Sequence, residues 1–152
     1  LNMIQYGLDT TNASNYVNAA SGYVHYFHGV NPNAKTYLTN MAAYGAENSV
    51  KSIYHAWFTD ESALWDEVGV SNYGPAPGYV PGGPNQNYAK DASYRSVDPN
   101  FLLSEQHIVP EGQPPQKAWR DFNESWPLNS WTVTEPQLFY QAAYVRMLSK
   151  FL

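Results

Sequence analysis

The sequence predicts a mainly α-helical domain with a long irregular middle. Two observations lead there. Apolar residues recur at helical spacing near both ends of the chain, and the stretch between is broken into short pieces by proline and glycine. At 152 residues the chain suffices for one domain. No internal repeat, low-complexity tract or linker divides it.

The first predicted helix runs from Asn12 to Phe27. Tyr16, Ala19, Ala20, Tyr23 and Phe27 make one face, with Ser14 near the start and Gly29 just past the end. From Val30 to about Asn129 short helical turns are expected around Ala46–Phe58, Ser62–Glu67 and Asn100–Gln106. Long irregular stretches are uncommon in compact domains unless they carry function. The last helix is predicted from about Thr134 to Leu152. Its apolar positions Leu138, Phe139, Ala142, Ala143, Val145, Leu148 and Phe151 fall three and four apart. Pro136 is expected in its first turn, where a missing N–H costs nothing.

That placement puts Glu135 at a helix mouth, with Trp126 and Trp131 close in sequence. Acidic residues are common there because the helix dipole favours the carboxylate by about 0.3–1 kcal/mol. A carboxyl group beside aromatic faces also suits a glycosidase acid. Apolar burial raises its pKa, and the rings stack on sugar. The two effects oppose each other, so an acid here needs desolvation to win.

Composition narrows the field. Aromatics are 16% of the residues, with thirteen tyrosines and five tryptophans, while charged residues are only 14% against a usual proportion of about a quarter. Many amphipathic rings with few charges suit a neutral polyhydroxylated polymer. The net charge is −5 without a basic cluster, which disfavours nucleic acid and anionic membrane surfaces as partners. No apolar run is long enough for a membrane span. Zero cysteines exclude disulfides, thiolate metal sites and a cysteine nucleophile. His25 and His28 share a helical face, but no third ligand accompanies them, so no metal site is assigned. The acidic residues from Glu47 to Glu67 lack EF-hand spacing.

Several motifs, in order, resemble the C-terminal part of the catalytic domain of glycoside hydrolase family 9. His25-Tyr26-Phe27-His28-Gly29-Val30-Asn31-Pro32 is similar to a helix ending in that family's Gly-x-Asn-Pro turn. Tyr54-His55 falls where the family has a histidine-rich loop. Pro81-Gly82-Gly83-Pro84-Asn85 resembles its Gly-Gly-Pro-Asn loop, followed by Tyr88 and Asp91. Lys117-Ala118-Trp119-Arg120-Asp121 lies where a Tyr-x-Asp element precedes the acid. Glu135 takes the acid's place, and Tyr140-Gln141-Ala142-Ala143 that of a Tyr-Asn-Ala segment. Thr134 stands where the family usually has asparagine. Ala56-Trp57 follows His55 where arginine is common, which marks a divergent branch.

The resemblance implies the C-terminal portion of an (α/α)6 barrel, its irregular loops gathered at the substrate end. It implies endo-type inverting hydrolysis of β-1,4-glucosidic bonds in cellulose or related β-glucans. Glu135 would be the general acid, and Tyr140 would orient the attacking water or the base. His55 would bind sugar hydroxyls, with Trp57, Tyr79, Trp126 and Trp131 as stacking surfaces. The inverting mechanism needs a second carboxylate roughly 6.5–9.5 Å away. The family supplies it from an Asp-Ala-Gly-Asp type motif, which these residues lack. Twelve helices of about 11–12 residues also exceed this length. The chain is therefore expected to be a partial catalytic domain, inactive alone, completed by a missing N-terminal part or a second copy. No cofactor is required. The resemblance allows a structural calcium with unassigned ligands, and it implies secretion, although no signal peptide is visible here. The alternative is a non-catalytic carbohydrate-binding or assembly module.

Overall fold

The computed structural model describes residues 1–55, 61–91 and 110–152. Helices stand at both ends: α1 (Asn2–Gln5), α2 (Ala13–Phe27), α3 (Trp131–Thr134) and α4 (Leu138–Leu148). The expected first helix is thus present with nearly the expected limits. The Asn31 amide fixes the turn after it, donating to the carbonyls of Tyr26 and Lys35 at 2.7 Å each.

Two expectations are corrected. The stretch from Ala46 is not helical where it is described. Ser49–Val50 forms strand β2, which pairs in parallel with β1 (Thr36–Thr39). Val50 and Thr39 are fully buried there, so this stretch obeys burial rather than helical spacing. The last helix also starts later and ends earlier than predicted. A residue before proline is sterically pushed out of the helical region, and Glu135 is extended at φ −67°, ψ 122°. Glu135 and Pro136 therefore join α3 to α4 and lie outside the first turn of α4, which begins after Gln137. Glu135 therefore does not sit in the first turn of a helix, where the dipole would favour its carboxylate. Ser62–Glu67 forms turns without a helix, and Asn100–Gln106 lies outside the described residues.

The core gathers Tyr37, Val50, Ile53, Tyr88, Trp119, Phe122, Leu128 and Val133. It joins the strand pair to the segment leading into α3. Burial pushes the Tyr37 phenol up to about 12, against an opposing hydrogen bond from Asn33. A smaller cluster of Leu38, Val80 and Tyr144 packs α4 against β1. No residue of α2 is buried, and only Tyr144 of α4 is. No helix among the described residues is long and apolar enough to cross a membrane.

Candidate functional site

α3 is a single turn, but it is firmly held. Val133 and Thr134 are fully buried. The Trp119 indole donates to the Val133 carbonyl at 2.9 Å. The Thr134 hydroxyl shares its proton between the carbonyls of Phe122 and Ser130, at 3.1 and 3.0 Å. Hydrogen bonds inside the core are expensive to break, so the end of α3 is a fixed point, and Glu135 leaves from it half-buried.

The opposite wall is the segment Val80–Asn85. Gln141 of α4 grips it with both ends of its amide: Oε1 accepts the Val80 N–H at 2.9 Å, and Nε2 donates to the Val80 carbonyl at 2.7 Å. The Asn85 N–H donates to the Ala118 carbonyl at 2.8 Å, and its side-chain amide to the Thr132 carbonyl at 3.3 Å. Gly82 makes the closest approach. A Cβ there would sit 2.7 Å from the Val133 carbonyl oxygen.

Between the walls lies a cleft of about 400 Å³, bordered by Gly82–Asn85, Trp131, Thr132, Glu135, Gln137 and Tyr140. An aromatic cleft of about 340 Å³ meets it across Gly82–Pro84 and Tyr140, and takes Tyr23, Tyr26 and Tyr144 as walls. Glu135, Tyr140 and Trp131 therefore border one cleft. Three other predicted residues do not border the Glu135 cleft. Tyr79 is exposed, its backbone tied to Thr39 by hydrogen bonds of 2.9 Å each way. Trp126 is exposed and donates its indole N–H to Asp91 Oδ2 at 2.7 Å. His55 is half-buried on the segment after β2. Trp57 lies outside the described residues.

Sequence reasoning missed two anchors. Asp121 accepts the N–H groups of Lys51 and Ser52 at 2.9 and 3.0 Å, and it pairs with Lys35 Nζ at 2.8 Å. One carboxylate thus ties the strand pair, and the segment carrying His55, to the segment leading to Glu135. Its place in the Tyr-x-Asp-like element was the available signal. Gln141 was visible as well, standing where the resembled segment has asparagine. Among the described residues no three histidine, aspartate or glutamate side chains converge on a metal position, so no calcium ligand is assigned.

A half-buried carboxylate between an indole, a phenol and a proline–glycine wall is the kind of cleft found in carbohydrate-processing proteins. Comparison makes this particular: the family model described as Glycosyl hydrolase family 9 matches residues 1–148. The chain belongs to that family, and with it to the glycoside hydrolases that act on polysaccharide. No curated protein and no solved structure matches it.

Proposed function

We propose that this chain supplies the general acid of an inverting β-1,4-glucan hydrolysis, and that the acid is Glu135. The observation that supports this is the cleft itself, with Glu135 leaving the fixed end of α3 between Trp131 and Tyr140. Glu135 gives its proton to the glycosidic oxygen as the bond to the anomeric carbon breaks. Water attacks that carbon from the opposite face, and a second carboxylate takes the water's proton. Tyr140 orients the water or that base. Trp131 stacks on the sugar beside the broken bond, His55 hydrogen-bonds sugar hydroxyls at the cleavage point, and Tyr79, Trp126 and Trp57 are further stacking surfaces.

The base belongs to a part of the catalytic domain outside these 152 residues. That part, or a second copy of the chain, closes an (α/α)6 barrel around α2 and α4, and the assembled enzyme works outside the cell. Hydrolysis by the chain alone is not expected. The test is Glu135→Gln in the assembled catalytic domain. Loss of a positioned general acid costs about 10²–10⁴-fold in kcat, and glucan binding is expected to survive. Unchanged hydrolysis removes Glu135 from the mechanism.

A further inference from the structure

We propose a second glucan-binding platform, formed by the stacked rings of Trp65 and Tyr73 on the loop of residues 61–75, which adds to the cleft described above and rests on the β-glucan reading of the chain. The two rings lie 5.0 Å apart between centroids and 30° from parallel. Tyr73 is 59% exposed and Trp65 39%. Tyr73 is accordingly the contacting ring, and Trp65 backs and orients it.

The loop is built to hold this slab outward. Ser62 Oγ accepts the N–H groups of Leu64 and Trp65 at 3.2 and 3.1 Å. The N–H groups of Asn72 and Tyr73 donate across the loop to the carbonyls of Ala63 and Leu64, at 2.9 Å each. The Asn40 amide holds the Tyr73 and Pro75 carbonyls from below, at 3.1 and 2.9 Å. Gly74, at φ +69°, packs so close that a Cβ would meet Val68 at 2.9 Å. An aromatic pair left facing water on so fixed a loop is pre-organised for a ligand, because little ordering entropy remains to be lost on binding.

The occupant follows from chemistry and place. Glu61, Asp66 and Glu67 on the same loop repel an anionic polymer or an anionic lipid surface, so a neutral chain fits. The flat C–H faces of β-linked pyranoses match an exposed phenol ring. The loop also adjoins the segments around the candidate site. The Val68 N–H donates to the Lys51 carbonyl at 3.1 Å, four residues before His55. The Asn123 amide donates to Asp66 Oδ1 at 2.7 Å, on the segment leading to Glu135. A long glucan can thus touch the platform, whereas a short oligosaccharide held at Glu135 need not.

The experiment is affinity electrophoresis of the full chain through gels containing soluble mixed-linkage β-glucan. Tyr73→Ala and Trp65→Ala are expected to weaken retardation about fivefold each, the order of one aromatic contact. Tyr73→Phe keeps the ring and is expected to migrate like the parent chain, which separates loss of a stacking face from loss of the fold. If the alanine variants are retarded as strongly as the parent, the platform is overturned. The same holds if only Trp131→Ala abolishes retardation, an outcome that leaves the Glu135 cleft standing. A parent chain that no gel retards overturns the platform too. The acid assignment is judged separately, by hydrolysis of a short chromogenic oligosaccharide in the assembled domain.

Discussion

At Gly82 the chain passes so close to α3 that a single methyl group has nowhere to go. The atoms it would meet are the Val133 carbonyl oxygen and carbon, at 2.7 and 2.8 Å. Both are backbone, and both belong to a residue fully buried in the core. Relief therefore requires moving either the site wall or the turn that carries Glu135. Forcing extra volume into a packed site costs about 1–3 kcal/mol, and that is the loss of stability expected for Gly82→Ala in denaturant unfolding. Gly83 is the internal control, because a Cβ there meets nothing within 4 Å. Surface changes of that kind stay within about 0.5 kcal/mol. Equal losses for the two variants would refute the close-approach argument. In the sequence, Pro81-Gly82-Gly83-Pro84-Asn85 was legible as a loop resembling the family's Gly-Gly-Pro-Asn loop. Which glycine the wall requires depends on what lies opposite, and that is a fact of tertiary packing.

At the level of elements, α2 and α4 meet where α2 ends. His28 Nε2 and the Tyr144 hydroxyl lie 2.6 Å apart, and Phe27 sets its ring edge-to-face on Tyr144, 5.3 Å between centroids. Although much of His28 faces solvent, partial burial lowers its pKa below 6.5, and the neighbouring His25 adds to the shift. A lowered folded pKa means that the stabilising contribution is present above pH 6.5 and is lost as pH falls through the folded value. Asp9 acts in a separate window. Hydrogen bonds from Asn12 and Tyr16 hold its carboxyl below 3.8, so its contribution is lost only under more acidic conditions. Thermal unfolding followed from pH 8 to 4.5 is expected to show declining stability below about pH 6.5, at the ordinary histidine pKa. His28→Asn should flatten that decline. An identical decline in the variant would sink the assignment to His28. The helices themselves were legible, because α2 keeps a helical repeat between clear start and stop signals. The start of α4 was misread because proline is compatible with a first turn, while its effect on the preceding residue is equally strong. The β1–β2 pair left little trace. Strands of four and two residues are too short to display a period.

For the whole molecule, the telling feature is where the apolar residues of the helices point. Leu138 and Phe139 are 81% and 80% exposed, and Val17, Tyr23 and Val145 are exposed as well. The sequence pattern that correctly announced two amphipathic helices also implied a buried face for each. Within the described residues those faces find little to pack against. The pattern was legible, but the partner that satisfies it was not, since one chain's periodicity does not say which surface it meets. Monomeric proteins rarely leave contiguous apolar patches beyond a few hundred Å² in water. The chain by itself is therefore expected to bind a hydrophobic dye and to self-associate with rising concentration in sedimentation velocity. Leu138→Lys with Phe139→Lys should weaken both effects while leaving unfolding nearly unchanged, because neither side chain contributes to the two core clusters. Adding the rest of the proposed catalytic domain should abolish dye binding by covering the same faces. A chain that stays monomeric and dye-silent at every concentration would show that these faces are tolerated in water. These faces would then need no completing barrel to cover them, although the family membership would stand.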